Sequence, residues 1–186
     1  MEINLVTSNK GKVAEFRHIL EPQIKVKHVA MQYLELRADS NEEIAAESAR
    51  RLAEQLKMPV VVEDSGLFIN ALNGFPGVCS AYIHKRIGLQ GILKLLQGIA
   101  DRSAYYYSAV AYAKPGESPM IFTGKEEGSI ADEVRGSFGF GHDPFFVPAN
   151  ESRTYGEMPD VLDRKKFRAI AITKLKGFLQ DGNRNR

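Results

Sequence analysis

Several features are scarce in this 186-residue sequence, and each scarcity excludes a class of protein. One cysteine, Cys79, cannot form an internal disulfide, which favours a reducing compartment. The net charge is only +2 and both signs are mixed along the chain, unlike the basic patches of nucleic-acid-binding proteins. No hydrophobic run could span a membrane, and the N-terminus does not resemble a signal peptide. We therefore expect a cytoplasmic protein that binds neither nucleic acid nor membranes.

The residues that are present predict an α/β fold. Hydrophobic residues make up 44% of the chain, enough for a sizeable core. Strand-like and helix-like patterns alternate over the first 62 residues, as in partly parallel sheets. We predict one domain over 1–186, with two lobes, a long mixed central sheet flanked by helices, and a cleft between the lobes. The predicted strands are Glu2–Thr7, Lys25–Val29, Tyr33–Leu36, Val60–Val62, Ser103–Lys114, Met120–Gly124 and Ser129–Val134; the predicted helices are Ser8–Leu20, Ser40–Lys57, Ser80–Gln97 and Asp160–Leu179. Ser40 with Glu43 predicts a capping box at the start of the second helix, and Gly88 predicts a break in the third.

The stretch TSNKGK, Thr7 to Lys12, lies between the first predicted strand and helix. Backbone N–H groups at a helix N-terminus attract anions, and Lys12 adds a positive charge that can reach a phosphate. The stretch is not a Walker A motif because the required spacing is missing. The alternative is a plain helix cap formed by Ser8 or Asn9, with lysines in solvent.

Two adjacent acids follow an apolar run in PVVVEDSGL, residues 59–67. Successive strand residues point to opposite faces, so Glu63 and Asp64 cannot both face one ligand while the chain stays extended. One acid is available to hold Mg²⁺ or to accept a proton from water, and the other must bond elsewhere. The alternative is that both acids are solvated at the edge of a loop.

The stretch GSFGFGHDPFF, residues 136–146, combines glycines with aromatic rings and one acid. The rings could stack on a nucleobase, and the exposed backbone could hydrogen-bond to its edge. The alternative is a packed aromatic corner. His142 has no second histidine or cysteine nearby at metal-ligand spacing, so we do not expect a zinc site.

These three stretches occur together and in order, and the chain resembles the inosine triphosphate pyrophosphatase family. The resemblance covers nearly the whole length and includes TSNKGKVAEF, YLELRADSNEEIAAESA, VVVEDSGLFINALNGFPGVCSAYI, GSFGFGHDPFFVP and TYGEMP. It implies a two-lobed α/β homodimer that binds a nucleotide in its cleft and depends on Mg²⁺. It also implies hydrolysis of non-standard purine nucleoside triphosphates (ITP, dITP, XTP) to the monophosphate and pyrophosphate.

The same resemblance implies roles for individual residues. Asp64 would be the general base and a metal ligand, with Glu35 as a second ligand. Water activated by Mg²⁺ would then attack the α-phosphorus. The residues that would contact the substrate are Thr7, Ser8, Asn9, Lys10, Gly11 and Lys12 at the triphosphate, Ser65 beside Asp64, and Phe140, Gly141, His142 and Asp143 around the base and sugar.

The chain departs from the family at two places. His142 stands where the family usually has Tyr or Trp. In the closing helix, Lys166, Phe167 and Arg168 replace a Ser-His-Arg triplet that helps to read the oxygen at purine position six. Arg168 is retained, and Lys165 or Arg164 could replace an upstream lysine of the family. We therefore also assign Lys165 and Arg168 to substrate binding. Two alternatives follow: a pyrophosphatase for standard or pyrimidine triphosphates, and a nucleotide-binding protein that has lost catalysis.

Overall fold

The computed structural model describes residues 1–34 and 36–184, and its central element is a seven-stranded mixed sheet. The strands are β1 (Glu2–Val6), β2 (Lys25–Val29), β3 (Val60–Ile69), β4 (Pro76–Gly77), β5 (Ser103–Ala113), β6 (Met120–Ile130) and β7 (Phe146–Pro148). Their order is β2-β1-β3-β5-β6-β7, with β4 paired to β3. The β1–β2 and β1–β3 pairs are parallel, whereas β3–β4 and β6–β7 are antiparallel. The predicted α/β class with a mixed sheet is confirmed.

Within the described residues, five helices accompany the sheet: α1 (Lys10–Leu20), α2 (Asn41–Leu56), α3 (Ser80–Leu95), α4 (Val161–Arg164) and α5 (Phe167–Arg184). The same part of the chain has two short 3₁₀ helices, Asn70–Leu72 and Tyr155–Glu157. Ser40 caps α2 as the sequence predicts, because its hydroxyl accepts a hydrogen bond from the Glu43 N–H at 3.1 Å. Gly88 interrupts α3 with a φ of 62°, also as predicted. No helix within the described residues is long and apolar enough to cross a membrane.

The structure differs from the predicted elements in four places. The closing helix is broken at Lys165, which has extended backbone angles, so α4 and α5 replace the single helix predicted from Asp160. Residues 120–130 form one strand instead of two, and residues 33, 34 and 36 are not in a strand. Strand β3 extends seven residues beyond Val62, so Glu63 and Asp64 lie inside a strand and not at its end.

The chain divides into two compact units. The first comprises the described residues of Met1–Asp64, Ser108–Gly124 and Phe167–Arg186. Among its described residues, two apolar clusters contain successive residues of β3 in alternation. One cluster joins Val61 of β3 to Val13 and Phe16 of α1 and to Ala171 of α5. The second contains Val60 and Val62 of β3 with Ala45, Ala49, Leu52 and Ala53 of α2. Alternation along the strand therefore gives α1 and α5 one face of β3, and α2 the other.

The second unit comprises Ser65–Tyr107 and Lys125–Lys166. Its core includes an aromatic cluster, in which the Phe146 ring lies 4.4 Å from Tyr106 and 5.8 Å from Tyr155 between centroids. Gly66 permits close approach of β3 and β4, because a Cβ at this position would collide with the Gly77 carbonyl. This unit contains the predicted aromatic loop.

Candidate functional site

The Glu63 carboxylate lies on the α1 and α5 face of the first unit and is buried in an ion network. Its Oε2 atom is 2.8 Å from Lys12 Nζ of α1, and its Oε1 atom is 2.9 Å from Arg168 Nε of α5. Ser108 donates its hydroxyl to Oε1 at 2.6 Å. Arg168 also contacts Glu15, so two cations and two anions balance. Glu63 is thus bonded within the protein.

The charges of this network set the proton affinity of Glu63. Burial alone would raise the pKa of its carboxyl group, but Arg168 and Lys12 outweigh that effect and lower the pKa to about 2. For Arg168, burial disfavours the charged form, yet Glu15 and Glu63 raise the guanidinium pKa. With its pKa near 2, Glu63 is a poor proton acceptor for catalysis at neutral pH.

Asp64 lies on the opposite face of β3, where α2 packs. Its Oδ2 atom accepts a hydrogen bond of 2.6 Å from the Asn41 side-chain amide, and Asn41 is the first residue of α2. Both side chains are buried. The amide fixes the carboxylate without adding a positive charge. The adjacent acids therefore face opposite sides of the strand, as the sequence predicts.

The predicted phosphate loop is partly a helix cap. Asn9 is the N-cap of α1, and its Oδ1 atom accepts hydrogen bonds from the backbone N–H groups of Gly11 and Lys12 at 2.8 and 3.2 Å. Thr7 is buried and accepts the Asn9 N–H at 3.1 Å, while Ser8 and Lys10 are exposed. Lys12 reaches β3, where Nζ also donates to the Glu63 backbone carbonyl at 2.9 Å. The cap and the lysine coexist at one helix end.

In the second unit, Asp143 organises the aromatic loop. Its Oδ2 atom accepts the Phe140 N–H at 2.7 Å and lies 2.7 Å from Lys165 Nζ. Its Oδ1 atom accepts the Tyr106 hydroxyl at 3.3 Å. Gly139 has a φ of +74°, and a Cβ there would collide with the Asp143 carboxylate. Burial and these bonds give the loop a defined shape, with Phe140 partly exposed.

His142 and His84 form a second contact within this unit. Their rings meet edge to face with centroids 4.9 Å apart, and the Phe145 ring lies 5.6 Å from His142. Burial, with the nearby His84, lowers the pKa of His142 to about 3. His142 is therefore neutral at physiological pH. Its Nε2 atom is buried without a hydrogen-bond partner among the described residues.

Two of the three residues that the prediction places at the family's triplet are buried. Phe167 and Arg168 are each 2% exposed, and Arg168 belongs to the Glu63 network. Lys166 is exposed. Lys165 is buried against Asp143. Arg164, the other candidate for the upstream cation, pairs with Asp160 and Glu151. The assignment of Lys165 and Arg168 to substrate binding stays a prediction.

The available donors fit Mg²⁺ in chemical type. Mg²⁺ is commonly held by one or two carboxylates together with substrate phosphates, and Asp64 offers a carboxylate oxygen. Within residues 1–34 and 36–184, no group of three or more His, Cys, Asp or Glu side chains could hold an ion. Glu35, the other predicted ligand, lies outside the described residues.

Comparison with known proteins adds evidence independent of this geometry. The Ham1 family model matches residues 3–178. The chain belongs to the Ham1 family. It is 52% identical to the dITP/XTP pyrophosphatase of Methanopyrus kandleri, with 85% of each chain covered. It is 46% identical to the dITP/XTP pyrophosphatase of Thermococcus kodakarensis, over 97% of this chain and 98% of that protein.

Solved structures of Ham1-family proteins share the fold. The Ham1 protein of Staphylococcus aureus superposes with a TM-score of 0.84 at 28% identity, over 98% of this chain and all of that chain. A dITP/XTP pyrophosphatase from Mycobacterium abscessus gives a TM-score of 0.71 at 32% identity, over 88% and 93% of the two chains. The predicted family resemblance is confirmed.

Sequence reasoning did not identify four polar residues that hold the predicted ones in place. They are Glu15, Asn41, Ser108 and Tyr106, the partners of Arg168, Asp64, Glu63 and Asp143. Asn41 follows the capping serine, which explains its position but not its partner 23 residues away. Ser108 and Tyr106 lie in a β-strand whose alternation gives their face and not their contacts.

Proposed function

We propose that this protein hydrolyses non-standard purine nucleoside triphosphates, dITP and XTP in particular and ITP with them, to the monophosphate and pyrophosphate. The substrate class follows the relatives named dITP/XTP pyrophosphatase. The geometry that supports the chemistry is the position of Glu63 and Asp64 on opposite faces of β3. Glu63 is held as an anion by cations, whereas the Asp64 carboxylate is oriented by a neutral amide.

Asp64 is the proposed general base. Water attacks the α-phosphorus while one carboxylate oxygen of Asp64 takes its proton, and the bond between the α-phosphorus and the bridging oxygen breaks to release pyrophosphate. Asn41 fixes the rotamer of the carboxylate through its 2.6 Å hydrogen bond. A bound Mg²⁺ would supply Lewis acidity at the phosphates, with Asp64 and Glu35 as protein ligands.

Lys12 is the proposed main cation for the triphosphate. Its side chain is 18% exposed, and its ammonium is oriented by the carboxylate and the backbone carbonyl of Glu63. An oriented ammonium needs little rearrangement to stabilise the charge of departing pyrophosphate. Thr7, Ser8, Asn9, Lys10 and Gly11 complete the proposed phosphate-binding stretch.

The aromatic loop is the proposed receptor for the base and sugar. Phe140 offers a partly exposed ring, and Gly141, His142 and Asp143 follow it along the loop. Asp143 and His142 are buried, so they shape the loop or meet only an enclosed part of a ligand. Ser65, partly exposed on β3 beside Asp64, is a further proposed contact.

A rate panel tests the substrate class. Pyrophosphate release would be measured with Mg²⁺ for dITP, ITP, XTP, ATP, GTP and dUTP. We expect kcat/KM for the first three to exceed that for ATP by at least about a hundredfold, because a site built for a keto oxygen at position six rejects the amino group that adenine carries there. Equal rates with ATP or dUTP would favour the alternative pyrophosphatase. Nucleotide binding without pyrophosphate release would favour lost catalysis.

The homodimer, the Mg²⁺ requirement and the cytoplasmic location complete the proposal. The first two rest on the family resemblance, and the location rests on the single cysteine of the sequence. Light scattering during gel filtration measures the mass in solution, and a monomer would contradict the dimer. Chelation by EDTA should abolish turnover, and added Mg²⁺ should restore it. Activity that persists after exhaustive chelation would remove the metal from the mechanism.

A further inference from the structure

Lys165 occupies an unusual position for a lysine. It lies at the break between α4 and α5, and its side chain is only 3% exposed. Burying an ammonium is costly unless a counter-ion is present, and the Asp143 carboxylate, 2.7 Å away and 1% exposed, meets that requirement. The sequence pattern of a single closing helix would instead place this lysine among solvated neighbours.

The same ammonium contacts the ring of Phe140. Lys165 Nζ lies 4.1 Å from the ring centroid, within the range of a cation–π interaction. Asp143 meanwhile accepts the Phe140 backbone N–H at 2.7 Å. The main chain of Phe140 is therefore tied to the carboxylate, and its ring is tied to the lysine that neutralises that carboxylate.

We infer that Lys165 is a positioning residue that sets the Phe140 ring for stacking on the purine base. This inference rests on the proposed function and deepens it. Lys165 acts through Phe140 and not through the phosphates, because its ammonium is buried against the loop. It also accounts for the buried lysine in a chain whose closing helix has lost the family's Ser-His-Arg triplet.

The inference predicts a specific kinetic change. Lys165→Met keeps a long apolar side chain but removes the charge. Its KM for dITP should rise about tenfold, with kcat within about twofold of wild type, because the chemistry at the α-phosphorus is untouched. Lys165→Arg retains a cation and should keep KM within about threefold. Lys94→Met, at an exposed lysine of α3, is the matched control.

A double-mutant cycle separates positioning from a general loss of structure. In a Phe140→Leu background there is no ring to position, so adding Lys165→Met should leave KM unchanged. An equal rise in KM in both backgrounds, or a normal KM for Lys165→Met, overturns the inference. If Lys165→Met alone unfolds, Asp143→Asn with Lys165→Met avoids a buried unpaired charge and should show the same tenfold rise.

The activity of the wild-type protein distinguishes a failure of the proposed function from a failure of the inference about Lys165. If it releases no pyrophosphate from dITP, the proposed function fails, and the cycle is then run on equilibrium binding of dITP by calorimetry. If it is active but the cycle shows no coupling between positions 140 and 165, only the inference fails.

Discussion

On one face of β3 the Glu63 carboxylate meets two cations, and on the other face the Asp64 carboxylate meets a neutral amide. Both acids are buried and adjacent in sequence. Their environments differ because the faces pack against different helices. The cations lower the pKa of Glu63 to about 2, and both of its carboxylate oxygens are held in ion pairs. Burial of a carboxylate therefore does not identify a catalytic group; the charge of its partners must be known.

Asp64→Asn tests the catalytic side of this comparison and should have the largest effect. The side-chain amide introduced at position 64 can still accept a hydrogen bond from Asn41, but it cannot take a proton from water. We expect kcat for dITP to fall about a thousandfold, with nucleotide binding and thermal unfolding little changed. The rate of pyrophosphate release measures kcat, and calorimetry measures nucleotide binding. Asp132→Asn, at a fully exposed position, is the control. Wild-type turnover in Asp64→Asn would remove Asp64 from its assigned role.

Glu63→Gln tests whether the buried ion network around Glu63 stabilises the fold. The change leaves Arg168 and Lys12 without their shared anion, so the free energy of unfolding at pH 7 should fall by about 3 kcal/mol in urea titrations. Glu117→Gln, in an exposed pair with Lys114, should cost much less. If the two variants are equally stable, the buried network does not stabilise the fold as described.

The same variant has a defined pH dependence. The folded-state pKa of Glu63 is about 2, below its ordinary 4.5, so the unfolded chain binds more protons between these values. The stabilisation is fully present above pH 4.5 and is lost as pH falls towards 2. The stability difference between wild type and Glu63→Gln should therefore be constant above pH 5 and shrink below it. A difference that grows on acidification would contradict the ion network.

Asn41→Ala tests the hydrogen bond that the Asn41 amide donates to Asp64. Without the amide, the Asp64 carboxylate loses its fixed orientation, and kcat for dITP should fall roughly tenfold. Because the amide acts only through Asp64, the substitution should have no further effect on kcat in an Asp64→Asn background. An additive loss in the double variant would show that Asn41 contributes by another route.

Ser108→Ala should have the smallest effect. Its hydroxyl donates to Glu63 at 2.6 Å, but two cations remain to hold the carboxylate. We expect a loss of about 1 kcal/mol in unfolding free energy and near-normal kcat. Ser118→Ala, in an exposed turn, is the matched control. A loss as large as that of Glu63→Gln would mean that the hydroxyl, and not the cations, is the main partner.

Much of this organisation follows from local patterns. The alternation of a strand predicts that Glu63 and Asp64 face opposite sides, and the Ser40 cap and the Gly88 break follow from local backbone chemistry. The errors arise where tertiary pairing overrides local signals. Strand β3 continues beyond Ser65 and Gly66, and β4 pairs with it at Leu67 and Phe68. Strand β7 has only three residues and is too short to be recognised without its partner β6.

Periodicity and local motifs are enough to predict the α/β class, the family and the residue types available for phosphate chemistry. The packing of distant segments sets which carboxylate contacts cations and which contacts the Asn41 amide. It also decided that Lys165 lies buried between Asp143 and Phe140. These outcomes depend on contacts between residues 22 to 105 positions apart, and no local pattern specifies the charge of a distant neighbour.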